Sequence, residues 1–250
     1  MKIEVCVDSL ESAITAIDAG ADQVELVSLT SVGGLTPSYG LARALVDRNI
    51  KTMAMVRPRV AGFCYSKYDR EVMLNDVKAF KEMGVQGVVF GALNFDGSID
   101  YNFTADLVKA AGDMEVVFHR AFEVVKDKVT AAKTLKGIGI TRILTKGGNS
   151  LIEGKDIIRE LLTIDVPEII SGGVRYNTVD LIKELGLEYV HISSSKEFTD
   201  PSTSKSGIYF GKANDPTDEI YTLADYDYLK DIINKLKGEW NVRLWILWRR

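Results

Sequence analysis

The residues best suited to chemistry stand at the ends of short apolar segments spread along the chain. Glu25 and His119 carry a carboxyl and an imidazole, the groups that most often exchange protons in enzymes. Arg57, Arg59 and Arg120 follow similar segments, and guanidinium groups bind carboxylates and phosphates through paired hydrogen bonds. We therefore expect the arginines to bind an anionic group while Glu25 or His119 moves a proton.

Glycine pairs and serines follow three segments in the second half of the chain. Lys146 precedes one pair, Gly172 and Gly173 form another, and a serine cluster includes Ser194. Glycines let backbone N–H groups approach an anion closely, and serine hydroxyls add hydrogen-bond donors. The pattern predicts an anion site at these four residues. The alternative is that each glycine pair only makes a tight turn.

Sulfur-containing side chains offer a different chemistry. The sequence has no CxxC or HExxH motif and no calcium-loop spacing. Cys6, Met53 and Met55 stand in two of the apolar segments, and thiolate and thioether sulfurs suit monovalent copper. Methionine in a strand is more often a core residue than a ligand. The residues alone therefore leave copper(I) as an alternative to simple core packing.

Eight β-branched segments, separated by amphipathic helical segments, are the elements that would position these groups. Strands are predicted at Ile3–Val7, Gln23–Val27, Thr52–Val56, Gly87–Phe90, Glu115–His119, Arg142–Thr145, Pro167–Ile170 and Tyr189–Ile192. Several helical segments are predicted to end at glycines, namely Gly20, Gly84, Gly112, Gly137 and Gly186. The pattern predicts the α/β class, with a single (β/α)8 TIM barrel over residues 1–238. An open doubly wound sheet is the alternative, although it usually has fewer strands.

Alternation along the predicted strands indicates which side chains point into the barrel. Glu4 and Glu25 face inward in the first two strands, Arg57 in the third and His119 in the fifth. Buried charges are costly unless they are paired, so this interior is either a functional polar pocket or an internal ion-pair network. His191, inside the eighth strand, is expected to be a hydrogen-bonded core residue.

Composition excludes several classes of function. The net charge of −4 gives no sequence-wide attraction to nucleic acid or to anionic lipid. No segment reaches the roughly 20 apolar residues of a membrane span, and no signal peptide is visible. Two cysteines make no disulfide framework, so we expect a cytoplasmic protein.

Two segments near the C-terminus depart from the barrel pattern. Thr199–Asp218 is polar and rich in glycine and proline, which predicts a long loop. Residues 239–250 hold all three tryptophans and are interpreted as a tail that is packed or faces another copy in a homo-oligomer. The alternatives are a membrane-surface anchor and the binding surface of a non-catalytic interaction protein.

Seven motifs in a fixed order resemble the CutC copper-homeostasis family, and the similarity extends from the first strand to about Gly211. The motifs are Glu4–Ser9, Gly33–Ser38, Val56–Arg59, Phe63–Ser66, Gly87–Leu93, Phe118–Phe122 and Gly172–Arg175. That family is a (β/α)8 barrel, in agreement with the count of strands. The resemblance implies a cytoplasmic protein linked to copper tolerance.

The resemblance also implies a cuprous ion bound by cysteines, which Cys6 and Cys64 match. The family's Glu-Leu-Cys-Ser motif has Val27 at its cysteine here, and its Leu-Thr-Ser-Gly-Gly motif has Lys146 at its serine. Two main functions remain open. One is copper homeostasis with cuprous-ion binding, and the other is an enzyme acting on a small phosphorylated or carboxylated metabolite.

Overall fold

Eight parallel strands close into a barrel in chain order in the structure, a computed structural model that describes residues 1–203, 208 and 219–238. The strands are β1 (Lys2–Val7), β2 (Gln23–Leu26), β3 (Thr52–Met55), β4 (Gly87–Phe90), β5 (Glu115–Phe118), β6 (Arg142–Thr145), β7 (Glu168–Ser171) and β8 (Tyr189–Ser193). Because β8 pairs with β1, the predicted (β/α)8 barrel is confirmed and the open doubly wound sheet is excluded. The predicted tail at residues 239–250 lies outside the described residues.

Helices connect successive strands on the outside of the barrel. They are α1 (Leu10–Ala19), α2 (Tyr39–Val46), α3 (Lys67–Met83), α4 (Tyr101–Ala111), α5 (Lys128–Ile138), α6 (Leu151–Leu162), α7 (Val179–Glu184) and α8 (Tyr226–Lys237). Short 3₁₀ helices lie at Thr30–Val32, Arg120–Val124 and Tyr176–Thr178. In the described part of the chain, no helix has the length and apolar character needed to cross a lipid bilayer.

The segment between β8 and α8 contains more than the predicted loop. Strands β9 (Lys196–Thr199) and β10 (Ile220–Leu223) form a two-stranded antiparallel sheet beside the barrel mouth. The Phe198 and Tyr221 rings stack across this pair with centroids 5.7 Å apart. The predicted loop at Thr199–Asp218 therefore begins at the last residue of β9, and residues 204–207 and 209–218 of it lie outside the described residues.

Local sequence explains where the helices begin and end. The Ser66 hydroxyl accepts from the Asp69 backbone N–H, and the Asp69 carboxylate accepts from the Ser66 N–H, so a capping box starts α3. Gly139, with a φ of 100°, ends α5 and donates to the carbonyls of Leu135 and Lys136. The prediction that this helix ends at Gly137 is wrong, because Gly137 lies inside α5 and the left-handed cap forms two residues later.

Two apolar layers confirm the predicted alternation. Outward side chains such as Val5 and Leu26 pack against the helices in the larger core. Inward side chains form a smaller cluster against which Cys6 packs: Val27, Met53, Met55, Val89, Val117, Leu144, Ile170 and Tyr189. The barrel interior is therefore apolar at mid-height, and its polar groups gather above and below that layer.

A polar plug fills the amino-terminal end of the barrel. Arg142 forms an ion pair with Glu115, and its guanidinium lies 4.7 Å from the centre of the Tyr189 ring. Arg142 also approaches the Met53 sulfur at 3.7 Å. Because this end is filled, the interior cavity lies at the carboxyl ends of the strands.

Candidate functional site

A cavity of about 820 Å³ occupies the mouth of the barrel at the carboxyl ends of the strands. This is the end at which barrels of this kind hold their working residues. Its chemically competent lining residues are Cys6, Asp8, Glu25, Arg57, His119, Arg120, Glu123, Lys146, Arg175, His191 and Ser194, with backbone from Gly172 and Gly173. The structure thus gathers most of the sequence-predicted residues in one place.

Arg59 and Cys64 lie elsewhere. Both line a separate pocket beside α3 and do not line the main cavity. The Arg59 Nε donates to Asp69 at 3.1 Å, and its Nη2 donates to the Cys64 carbonyl at 2.8 Å. Alternation ends with β3 at Met55, so it says nothing about where Arg59 and Cys64 point. The expectations that Arg59 binds the anion in the cavity and that Cys64 assists Cys6 are therefore corrected.

The cavity floor carries a chain of interacting side chains from β8, β1 and β2. His191 Nδ1 lies 2.8 Å from Glu4 Oε1, and Glu4 Oε2 accepts a 2.7 Å hydrogen bond from the Gln23 amide. His191 Nε2 lies 3.7 Å from Glu25 Oε2. The ligand atoms of Cys6, Glu25 and His191 all lie within 4.8 Å of one another. Strand register produces this cluster, since Cys6 pairs with Glu25 and Glu4 pairs with His191 along the ladders.

Burial and neighbouring charges distribute the protons of the floor unequally. Burial raises the pKa of Glu25 to about 7, and the Glu4 carboxylate adds to the rise, while His191 and Cys6 oppose it. Burial also acts to raise the pKa of Glu4, but hydrogen bonds from His191 and Gln23 hold that pKa below its ordinary value. Burial lowers the pKa of His191, but the carboxylates of Glu25 and Glu4 outweigh it and raise that pKa. The pKa of about 7 lets Glu25 exchange a proton near neutral pH.

His119 lies in the cavity wall directly after β5 as a neutral imidazole. Its Nδ1 accepts a 3.1 Å hydrogen bond from the Ala121 N–H, so the network assigns the ring proton to Nε2. Burial and the Arg57 guanidinium lower the pKa of His119 to about 3. A Cβ atom at Gly91 would lie 2.5 Å from this ring, so the glycine after β4 leaves the space that the imidazole occupies. This tautomer places His119 as a hydrogen-bond donor toward the cavity, and its role in proton transfer stays a prediction.

Arg57 is buried and binds the protein's own backbone. Its Nη1 donates to the carbonyls of Val32 and Gly34 at 2.9 and 3.0 Å, and its Nη2 donates to Ala61 at 2.9 Å. The guanidinium also lies 5.3 Å from the centre of the Phe63 ring. These three hydrogen bonds fix the loop after β2 as one wall of the cavity, whereas the buried Arg57 Nε has no hydrogen-bond partner in the described part of the chain. The anion-binding role of Arg57 therefore stays a prediction.

Arg120, Lys146 and Arg175 form the opposite wall of the cavity, here called the cationic wall. A side chain on Gly172 or Gly173 would meet the Lys146 stem at 3.3 or 3.0 Å. The glycines at this position therefore make room for the lysine. The sequence pattern predicts, in addition, that an anion approaches the backbone of these glycines closely.

Five residues of the site were not selected from the sequence, and one of them, Asp8, lines the cavity directly after β1. His191 was assigned to the core, although the apolar neighbours Val190 and Ile192 already indicated that it faces inward. Glu4 was placed in the interior without a role, and Arg175 was part of a quoted motif without being selected. Glu123 carried no sequence signal, because it comes from a short 3₁₀ helix that folds over the mouth.

Comparisons with known proteins agree with this architecture. The model of the CutC family matches residues 1–196. A family protein CutC from Treponema denticola is 39% identical over 243 residues, which cover 94% of this chain and 99% of the relative. A relative named copper homeostasis protein cutC homolog, from Dictyostelium discoideum, is 33% identical over 272 aligned residues, covering 94% of this chain and 97% of its own length.

A solved structure extends the likeness to three dimensions. The crystal structure of a CutC protein from Streptococcus agalactiae superposes with a TM-score of 0.71 at 29% sequence identity. The match covers 76% of this chain and 97% of that one. Family model, sequence relatives and barrel structure all agree, and the chain belongs to the CutC family.

Proposed function

We propose that this CutC-family protein is an enzyme that binds a small anionic metabolite in the barrel mouth and transfers a proton at the cavity floor. One observation carries the proposal. Glu25 Oε1, His119 Nε2 and Arg57 Nε are buried atoms without a hydrogen-bond partner in the described part of the chain, and all three side chains line the same cavity. An unsatisfied buried polar atom costs about 1–3 kcal/mol, so three of them in one cavity favour a ligand that supplies the missing partners.

Glu25 and His119 suit the removal of a proton from a carbon beside a carbonyl. Glu25 accepts the proton, and the electron pair of the broken C–H bond moves to the carbonyl oxygen, which becomes an enolate. The His119 Nε2–H donates a hydrogen bond to that oxygen as its negative charge develops. A base is most effective when its pKa lies near the working pH, which agrees with the pKa of about 7 for Glu25.

Hydrogen exchange tests this proposal without knowledge of the final product. The protein is incubated in D₂O with a panel of phosphorylated and carboxylated ketones and aldehydes, and deuterium at carbon is measured by mass spectrometry. We expect exchange in at least one compound, and we expect His119→Phe to slow it roughly 100-fold because the enolate oxygen loses its donor. Samples without protein measure spontaneous exchange. Absence of exchange across the panel, or full exchange by His119→Phe, contradicts the proposal.

Cuprous-ion binding is the second candidate function, which the name of the Dictyostelium relative favours. Cys6 offers a thiol, His191 an imidazole, and Met55 a thioether in the lining of the same cavity. Sulfur and imidazole donors suit copper(I), and the Cys6 and His191 ligand atoms lie within 4.8 Å of each other, so these two residues fit one ion. Burial, together with the Glu25 and Glu4 carboxylates, raises the pKa of the Cys6 thiol well above its ordinary value, so the ion would have to displace a firmly held proton.

Anaerobic titration with copper(I) against a chromophoric chelator tests this second candidate. We expect the protein to bind one ion and Cys6→Ser to weaken its binding roughly 100-fold, because the thiolate is the strongest donor in the cluster. Cys64→Ser is the matched control, since Cys64 lies in the separate pocket. Unchanged binding in Cys6→Ser, or no binding by the unaltered protein, rules out a copper site at Cys6.

The proposal also covers the cellular compartment and the oligomeric state of the protein. Cys6 and Cys64 are free thiols, which supports a reducing compartment such as the cytoplasm. The homo-oligomer expected from the tryptophan-rich segment at residues 239–250 is retained as part of the proposal.

A further inference from the structure

The cationic wall carries more positive charge than its neighbours offset. Glu123 is the carboxylate beside Lys146, and both of its oxygens are engaged. Its Oε1 accepts a 2.6 Å hydrogen bond from the Lys146 backbone N–H, and its Oε2 accepts one of 3.1 Å from the Thr145 hydroxyl. Arg120 and Arg175 form no ion pair in the described part of the chain. Three cations therefore face the cavity beside one carboxylate.

Lys146 holds its charge in a fixed position. Its stem lies over Gly172 and Gly173, and its Nζ donates to the Asn149 carbonyl at 2.9 Å. An ammonium has three N–H donors, so two stay available for a ligand. Burial lowers the pKa of Lys146, and the positive charges of Arg120 and Arg175 lower it further, while Glu123 opposes the shift. The cations are thus close enough to repel one another, and a bound anion would relieve that repulsion.

Backbone donors lie in the same lining. The N–H groups of Gly173 and Ser194 donate to no acceptor in the described part of the chain, and both residues line the cavity. Free backbone N–H groups after the last strands of a barrel frequently hold the oxygens of a phosphate. The wall therefore combines side-chain cations with uncommitted backbone donors.

We propose that the cationic wall, with the backbone of Gly173 and Ser194, is the subsite for the phosphate group of a phosphate monoester. This inference rests on the proposed function, because it names the chemical class of the substrate. A phosphate monoester carries a charge of about −1.5 to −2 at pH 7 and three strong acceptor oxygens. It therefore matches three cations and two backbone donors, whereas a carboxylate offers one charge and two oxygens.

The place of the wall explains how such a substrate would be oriented. Lys146 and Gly173 follow β6 and β7, whereas Glu25 and Cys6 come from β2 and β1 on another side of the mouth. With its phosphate on the wall, the rest of the metabolite extends across the cavity. Its reacting carbon then lies between His119 and Glu25. The subsite binds and orients, and it takes no part in the proton transfer.

Isothermal titration of the full-length protein with inorganic phosphate tests the subsite, with acetate as the comparison anion at constant ionic strength. We expect phosphate to bind and acetate to bind at least 10-fold more weakly. We expect Lys146→Met, which keeps the stem and removes the charge, to weaken phosphate binding roughly 10- to 100-fold. Lys133→Met is the matched control, because Lys133 is exposed on α5 and does not line the cavity. Circular dichroism spectra establish that both variants are folded.

The outcomes separate this inference from the proposed function. Equal affinity for acetate, no binding of phosphate, or unchanged binding in Lys146→Met overturns the phosphate subsite. If phosphate binds as expected but no compound exchanges deuterium, the subsite stands and the proposed enzyme fails. If only carboxylated compounds without phosphate exchange, the enzyme stands and the subsite fails.

Discussion

Replacing Glu25 by glutamine is expected to stabilise the protein at pH 8 while it removes the proposed proton transfer. Glutamine has nearly the shape of the carboxyl group, but it cannot ionise. The fold would therefore no longer hold a buried charge beside the Glu4 carboxylate. Loss of the base is expected to slow deuterium exchange about 10²- to 10⁴-fold. A gain in stability together with a loss of activity is typical of a group retained for function.

The sign of the pH dependence follows from the pKa of Glu25 in the two states. In the folded protein that pKa is about 7, whereas its ordinary value of 4.5 applies to the unfolded chain. Below pH 4.5 the group is protonated in both states and costs nothing. Between these values the folded state binds more protons than the unfolded state, so the free energy of unfolding falls as the pH rises. Well above pH 7 the cost is constant, at about 3–4 kcal/mol, and Glu25→Gln avoids it.

Urea unfolding at pH 8 and at pH 4.5 measures this effect, with the unaltered protein compared at each pH. We expect the free energy of unfolding of Glu25→Gln to exceed that of the unaltered protein at pH 8 and to equal it near pH 4.5. Glu71→Gln is the control, since Glu71 is exposed on α3. Destabilisation at pH 8, or the same gain at both pH values, would contradict the cost assigned to the ionised Glu25 carboxylate.

Replacing Arg57 by methionine is expected to cost about 3–5 kcal/mol of stability. The methionine keeps much of the apolar stem but leaves the carbonyls of Val32, Gly34 and Ala61 without their donors. Hydrogen bonds from a charged donor contribute about 1.5–3 kcal/mol each. The contributions of three bonds made by one side chain are not fully additive, so the expected loss is smaller than their sum. Because two of these carbonyls lie after β2, we also expect the loop over residues 29–35 to become a site of proteolysis.

The matched control for Arg57 is another arginine on the surface. Arg43 in α2 forms an exposed ion pair with Asp47, the residue that caps the end of that helix, and such pairs contribute about 0–1 kcal/mol. Chemical denaturation of Arg57→Met and Arg43→Met, followed by limited proteolysis, compares the two. Similar losses of stability in both variants would contradict the structural role of Arg57. If the Arg57→Met variant is stable but binds phosphate much more weakly, Arg57 belongs to the anion site.

The sequence was sufficient for the barrel and for the interior of its strands. Each predicted strand agrees with the structure to within one residue at either end, because β-branched runs between amphipathic segments are a local signal. Alternation placed Cys6, Glu25 and Val27 on the inward face, as observed, because the side-chain period of a strand is fixed by its backbone.

Beyond the strand ends, tertiary contacts determine which residues lie in the site. Arg57 and Arg59 are two residues apart, yet one binds carbonyls up to 25 residues earlier in the chain and the other lies in a separate pocket. Loop conformation depends on such distant contacts, which no local period encodes.

The same reason explains the acid–base groups. The sequence supplied the carboxyl and imidazole side chains, but burial beside Glu4 sets the pKa of Glu25, and a hydrogen bond from Ala121 sets the tautomer of His119. The local sequence thus determines side-chain identity and the direction in which a strand residue points. Protonation states and hydrogen-bond partners depend on which distant residues the closed barrel brings into contact.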